Sequence, residues 1–196
     1  MKHLFVLTFV TAAVIAAECA TANGVSTTVD AKTLDETRAV AAKLVTQLGG
    51  RLKAEMSAHG PAAAVAVCKI AAPEIAGKLL QETGWKVGRV GTRVRNPLNS
   101  PNAWQQAALD EFAKRMAGGE KLDGMESWKV VQESGKPTLL YAKAIGVQPV
   151  CLTCHGGPDS IPDEVKARLK VDYPDDKAVG YRAGELRGAL VISRPL

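Results

Sequence analysis

The chain has 196 residues, of which 46% are hydrophobic and 23% charged, and its formal net charge is +5. This composition suits one globular domain with a buried core and excludes an intrinsically disordered chain. The basic residues are scattered, with no run of five or more Lys or Arg, so the charge favours an acidic protein partner and not a nucleic acid.

The first 22 residues have the pattern of a secretory signal peptide. Lys2 and His3 precede an uncharged apolar run over residues 4–17, and Ala20-Thr21-Ala22 provides a small-x-small cleavage pattern. The apolar run is short for a membrane span. We therefore expect residues 23–196 to form a single domain in the periplasm, with no membrane span after cleavage. An uncleaved membrane anchor is the alternative interpretation.

Hydrophobic periodicity predicts that helices come first. Apolar residues at i, i+4 spacing predict a helix over residues 30–57, which Gly49 and Gly50 are expected to weaken or bend. Two shorter helices are predicted over residues 62–72 and from Pro73 to about residue 81. Alternation of apolar and polar residues then predicts a strand over residues 85–94, followed by a loop over residues 95–101.

In the second half of the chain, the pattern of apolar and polar residues predicts mostly strands. A helix is predicted over residues 102–117, and a hairpin over residues 128–133 and 138–145. A short helix over residues 162–169 and a final strand over residues 186–193 complete the pattern. Helices followed by antiparallel strands with helices between them predict an α+β domain.

The segment P-V-C-L-T-C-H-G, residues 149–156, carries two of the four cysteines and one of the three histidines. Cys151, Cys154 and His155 match C-x-x-C-H, which in an exported protein indicates covalent attachment of haem c. Two thiols one helical turn apart can form thioethers with the two vinyl groups on one side of a porphyrin, and the next imidazole can reach the iron. The sequence therefore predicts one covalent haem c with His155 as an iron ligand.

Three other interpretations of these residues stay open. With Cys68 they would form a zinc set, although adjacent Cys154 and His155 are poorly placed to share one tetrahedral ion. The two cysteines would also suit a thioredoxin-type dithiol, although they lie late in the chain. A disulfide beside a surface histidine is the simplest alternative. Cleavage of the signal would leave three cysteines, an odd number that cannot form a closed disulfide framework.

The second axial position on the iron has several candidates: Cys68, His59, Met56, Met116 and Met125. Cys68 lies in the apolar helical segment A-A-V-A-V-C-K-I-A-A-P. It is either a small buried hydrophobe or a thiolate ligand, which would favour ferric iron and lower the reduction potential. We expect His59 at the surface, Met56 and Met116 in the core, and Met125 in a polar loop.

Several segments carry a family resemblance: V-C-K-I-A-A-P at residues 67–73, R-x-R-N-P-x-N at 93–99, P-x-x-W at 101–104, C-L-T-C-H-G at 151–156, and Y-P-D-D-K-A-V-G-Y at 173–181 with G-E-L-R-G after it. From about residue 34 to residue 195 the chain resembles bacterial exported c-type haem proteins with a PAS-like haem domain. The resemblance implies an antiparallel sheet with N-terminal helices around the haem, ligated by His155 and Cys68. Gln105 departs from the family pattern, which has an acidic residue there.

The propionates of a haem need polar partners. Arg93, Arg95, Tyr173 and Tyr181 are candidates because guanidinium groups and phenols suit carboxylates. The alternative is that each is an ordinary surface residue or packs against a strand.

These features predict a periplasmic monohaem c-type cytochrome that exchanges electrons with a redox partner protein, one with an acidic surface. The alternative is a haem-based sensor that responds to redox state or to a small gas ligand at the Cys68 side of the iron. An iron with six ligands has no position for a substrate, so the sequence does not favour an enzyme.

Overall fold

A computed structural model of the protein describes residues 28–196. The elements, in chain order, are α1 (Ala31–Lys69), α2 (Ala71–Thr83), β1 (Lys86–Gly91), α3 (Ala103–Ala117), β2 (Glu126–Glu133), β3 (Lys136–Gly146), α4 (Leu152–His155), α5 (Asp163–Asp172) and β4 (Leu186–Pro195). The predicted signal peptide, residues 1–22, lies outside the described residues. Within residues 28–196, no helix has the length and apolar character needed to cross a membrane.

The four strands form one antiparallel sheet in the order β1-β4-β3-β2. Successive residues of a strand point to opposite faces, and the two faces pack against different helices. Tyr141 and Ile192 pack against α1 and α2, whereas their neighbours Ala142 and Val191 pack in the core formed with α3. This architecture confirms the predicted α+β class with an antiparallel sheet.

Helix α1 is divided by a break at Gly60. Gly60 has φ +82° and ψ 173°, a backbone conformation that is essentially restricted to glycine, and Pro61 starts the next helical segment. Gly49 and Gly50 have helical backbone, whereas the break coincides with the boundary predicted between the helices over residues 30–57 and 62–72. The segment after the break carries Cys68, so the break sets the direction from which Cys68 approaches the rest of the fold.

One end of the sheet is irregular, and the candidate site begins there. A Cβ on Gly188 would lie 2.0 Å from the carbonyl oxygen of Val90, so only glycine fits at this position in β4. The register of β3 against β4 also shifts between Ile145 and Gly146. Val90 and Ile145 both line the cavity described next.

Candidate functional site

A cavity lies between the second segment of α1, the irregular end of the sheet and the C-x-x-C-H residues. It has about 1100 Å³ of empty space when its solvent-open mouth is included. Cys68, Cys151, Cys154 and His155 all line it. The structure therefore brings the C-x-x-C-H residues together with a cysteine from a distant helix. The three described cysteines are free thiols.

The C-x-x-C-H residues form a compact turn. Pro149–Cys151 is a 3-10 turn, and Leu152–His155 adds one turn of α-helix as α4. Residues three apart in helical backbone lie on the same side of the helix. Cys151 and Cys154 consequently line the same cavity.

Gly156 allows this turn to end without a clash. A Cβ at this position would lie 2.6 Å from the carbonyl oxygen of Leu152 and 2.3 Å from Oγ of Ser160. The chain is then tied to a later segment by two backbone hydrogen bonds. Gly180 N donates to the oxygen of Gly156 at 2.7 Å, and Tyr181 N donates to the oxygen of His155 at 2.9 Å.

The imidazole of His155 has a defined orientation and protonation state. Its Nδ1 lies 2.6 Å from the carbonyl oxygen of Ala178, and because a carbonyl only accepts, Nδ1 carries the proton. Loss of solvent around the ring, with the charges of Arg95 and Arg187, lowers the pKa of His155 to about 3. The ring is therefore neutral, and its Nε2 lone pair is available to a metal.

The cavity sulfur atoms influence one another. Burial raises the pKa of the Cys154 thiol, the charge of Arg95 lowers it, and Cys68 and Cys151 raise it further. Cys68 also contributes, after burial, to raising the pKa of Tyr173 to about 12. Cys68, Cys154 and Tyr173 all line this cavity. A raised pKa is the opposite of what a reactive redox dithiol requires.

The other candidates for the second axial ligand are arranged differently. His59 is exposed and bonded to Glu55 at 2.9 Å. Met116 packs against the core beside α3, as expected. Met125 lies in the loop before β2, as predicted, but its side chain is buried in that core. Met56 lines the cavity itself.

Arg95 lines the cavity and also supports the C-x-x-C-H turn through its hydrogen bonds. Its Nε pairs with Oδ2 of Asp176 at 2.9 Å, in a side-chain pair that is about one-tenth exposed. Its Nη2 donates to the carbonyl oxygens of Cys154 and Ala178. The guanidinium of Arg95 is therefore largely used by protein partners, two of which fix the backbone around His155.

Arg93 and Tyr181 form a second set of contacts that supports His155. The guanidinium of Arg93 lies 3.8 Å from the centroid of the Tyr181 ring and donates to the carbonyl oxygen of Val179 at 2.7 Å. The Tyr181 ring meets the His155 ring edge-on, with centroids 6.2 Å apart. Arg93 lines the cavity, as does buried Tyr173, but Tyr181 does not. Tyr181 thus supports His155 from outside the cavity.

Two cavity arginines escaped the sequence-based prediction, namely Arg89 in β1 and Arg187 at the start of β4. A signal for Arg89 was present in the strand pattern. Arg89 shares a strand face with Val87, which is buried against the α1 and α2 side of the sheet. An arginine on an apolar strand face is unusual unless it has an anionic partner.

The described residues do not support a zinc site. Between residues 28 and 196, no group of three or more His, Cys, Asp or Glu side chains is arranged to hold a metal ion. The set of Cys68, Cys151, Cys154 and His155 therefore does not form a four-ligand zinc cage in this structure, in agreement with the poor spacing of adjacent Cys154 and His155.

Comparison with known proteins gives the family. The sequence profile of the Tll0287-like family, described as Tll0287, matches residues 14–195. The chain belongs to the Tll0287-like family. Among solved structures it is similar to the cyanobacterial haem protein Tll0287, with 26% sequence identity and a TM-score of 0.63, covering 85% of this chain and 97% of that chain. No curated protein matches the chain.

Membership of the Tll0287-like family agrees with the resemblance based on the sequence motifs, a family of c-type haem proteins with a PAS-like domain. The sheet of this chain and its likeness to Tll0287 are consistent with a PAS-like fold.

Proposed function

We propose that this protein is a periplasmic monohaem c-type cytochrome in electron transfer or redox sensing. Its haem would be joined covalently to Cys151 and Cys154, with His155 and Cys68 as axial ligands. The observation that carries this proposal is the single cavity that all four residues line. The related solved structure, described as that of a haem protein, supports the class of cofactor.

The residues of the cavity fit haem c in several independent ways. Cys151 and Cys154 offer two thiols one turn apart, as two vinyl groups require. His155 offers a neutral ring whose Nδ1 already donates to Ala178, leaving Nε2 for the iron. Cys68 offers a third sulfur, from a different helix, that lines the same cavity and would serve as a second iron ligand. Bound haem would supply one-electron exchange between ferric and ferrous iron.

Electron transfer needs a protein partner, and the charge indicates its chemistry. The net charge of +5 favours a redox partner with an acidic docking surface, because complementary charge speeds encounter. The predicted signal peptide supports a periplasmic location for both proteins. A thiolate ligand from Cys68 would favour the ferric state and a low reduction potential.

Redox sensing is the second candidate, and the break in α1 favours it. Cys68 lies in the short segment that Gly60 separates from the remainder of α1. Gly60 is the point at which this segment would turn relative to the first part of α1. A sensor would use such a movement to release Cys68 on reduction, which would open an iron site to a small gas ligand.

The test is spectroscopic. The protein is expressed for export together with haem-attachment machinery, and its spectra are recorded in the ferric and the dithionite-reduced states, with a pyridine haemochrome assay. We expect a c-type haemochrome with a ferric thiolate signature. The double variant C151A/C154A is the control and is expected to lose covalent haem. A colourless wild-type protein would contradict the proposal.

The same spectra separate the two roles. A carrier keeps Cys68 on the iron through the redox cycle, so its thiolate signature persists after reduction. A sensor loses that signature on reduction, and its reduced form binds carbon monoxide.

A further inference from the structure

Four arginines line the cavity, but only two of them have carboxylate partners. Arg93 pairs with Glu185 at 3.3 Å and Arg95 pairs with Asp176 at 2.9 Å. Among the ion pairs of residues 28–196, none includes Arg89 or Arg187. The cavity wall thus contains two positive charges that the described part of the protein does not neutralise.

Arg187 is held in a particular position. Its Nη1 donates to the carbonyl oxygen of Arg93 at 3.2 Å, and its guanidinium lies 5.2 Å from the centroid of the Tyr181 ring. Gly91 leaves the necessary space, because a Cβ there would lie 2.8 Å from that same Nη1. Arg187 is therefore fixed against the cavity wall and does not extend freely into solvent.

The surroundings of Arg187 disfavour an unpaired charge. Burial lowers the pKa of Arg187, Tyr181 raises it, and the positive charges of Arg95 and Arg89 lower it again. A buried charge is costly unless it is paired, and like charges at short range add to that cost. Arg89 in β1 and Arg187 in β4 both line the cavity without a carboxylate partner, so an anion bound there would offset the repulsion between them.

We infer that Arg89 and Arg187 form the subsite for the carboxylate edge of the cavity's ligand. Under the proposed function, on which this inference rests, these carboxylates are the haem propionates. The inference changes the roles predicted for the other two arginines. Arg93 and Arg95 are used by protein partners and position the turn that carries His155, whereas Arg89 and Arg187 contact the cofactor.

A positive charge beside the haem stabilises the reduced, less positively charged iron. It also holds the nearby propionate ionised, because an adjacent cation lowers the pKa of a carboxyl group. Replacing either arginine by glutamine should therefore have two consequences. The reduction potential falls, and it becomes dependent on pH between about pH 5 and pH 8, as the pKa of the propionate rises into that range.

The experiment uses haem-loaded protein and compares the midpoint potentials of Arg89→Gln, Arg187→Gln and Arg187→Lys across that pH range. We expect each glutamine variant to shift the redox equilibrium about tenfold towards the ferric form, which is about 59 mV for a one-electron couple. Arg187→Lys keeps the charge and should retain most of the potential. The control is Arg51→Gln, which lies outside this cavity on the exposed side of α1 and should match the wild type.

Several outcomes would overturn the inference. Glutamine variants with the reduction potential and the pH profile of the wild type would show that neither arginine interacts with the haem. A potential that follows phosphate or chloride concentration and not pH would show a site for free anions. If Arg187→Gln fails to fold, Arg89→Gln carries the test. Failure of the proposed function is recognised separately, since the wild-type protein would then give no c-type haemochrome.

Discussion

Nδ1 of His155 donates a 2.6 Å hydrogen bond to the carbonyl oxygen of Ala178. Ala178 is itself fixed, because its N donates to Oδ1 of Asp176 at 2.7 Å, while Oδ2 of Asp176 pairs with Nε of Arg95. The direction of the imidazole is therefore set by a series of contacts that leave Nε2 uninvolved. Such outer contacts are what hold metal-ligating histidines in one orientation and one tautomer.

The Asp176–Arg95 pair should be important for stability. Asp176→Asn can keep the hydrogen bond from Ala178 but leaves Arg95 with an unpaired charge in a buried position, where breaking a pair costs about 3 kcal/mol. Urea unfolding measures the loss. The matched control is Asp175→Asn, at the exposed neighbouring position, which should change the free energy of unfolding by less than about 0.5 kcal/mol. Equal effects of the two variants would contradict the role given to Asp176.

Cys68 should determine the ferric spectrum. Under the proposed function, Cys68→Ser removes one iron ligand but leaves Cys151, Cys154 and His155 in place, so we expect covalent haem to be retained and the thiolate signature to be lost. Met56→Leu is the control, because Met56 offers a second sulfur in the same cavity. Absorption and electron paramagnetic resonance spectra distinguish the variants. A Cys68→Ser protein with the ferric spectrum of the wild type would eliminate Cys68 as a ligand.

Two adjacent glycines after the C-x-x-C-H residues should respond differently to alanine. Gly156→Ala places a methyl group against the carbonyl oxygen of Leu152, which is backbone and cannot turn aside, whereas a Cβ on Gly157 meets nothing within 4 Å. We expect Gly156→Ala to cost about 2 kcal/mol of folding free energy and Gly157→Ala to be close to neutral. Thermal unfolding of both variants tests this difference, and similar melting temperatures would refute it.

Two of the glycines in α1, Gly49 and Gly60, should give effects of opposite sign when replaced by alanine. Gly60→Ala forces a side chain into a backbone conformation reserved for glycine and should destabilise the protein by about 2 kcal/mol. Gly49→Ala lies in regular helix with open space around its Cβ and should stabilise by about 1 kcal/mol. Denaturant unfolding gives both values. A stabilising Gly60→Ala would mean that α1 is continuous in solution.

Stability should fall in acid partly because of Glu126. Hydrogen bonds from Arg38 and Tyr141 lower the pKa of Glu126, while its partial burial raises it less. Since this pKa is lower in the folded chain than the ordinary value of 4.5, the stabilisation is complete above about pH 4.5 and disappears as the pH falls through the folded value. Glu126→Gln should flatten the decline in unfolding free energy below pH 4.5. An unchanged slope would contradict this assignment.

Much of the fold follows from local patterns in the sequence. The final strand was predicted over residues 186–193 and spans Leu186–Pro195, and the helix predicted over residues 102–117 spans Ala103–Ala117. Both have strong periodicity and clear end signals. The break in α1 coincides with the boundary predicted between the helices over residues 30–57 and 62–72, because a glycine followed by a proline is a clear signal for the end of one helix and the start of the next.

The candidate site was less accessible to sequence reasoning. The C-x-x-C-H residues stand out as a contiguous motif, but the link to Cys68 came from family resemblance. The role of Arg187 depends on β4 lying beside β1, a pairing that spans much of the chain and has no local signature. The carbonyl of Ala178 could not be predicted at all, since a backbone oxygen in a segment without periodicity carries no sequence signal.

The separation of Cys68 from the C-x-x-C-H residues along the chain has a consequence for the order of assembly. Under the proposed function, thioether formation at Cys151 and Cys154 involves one short stretch and requires no distant contact, so it can be completed while the chain is still unfolded. Ligation by Cys68 requires α1 to have docked onto the sheet and α5. The thiolate spectrum would therefore appear only at the last stage of folding. An unfolded chain that already carries haem would differ in its absorption spectrum from the folded protein.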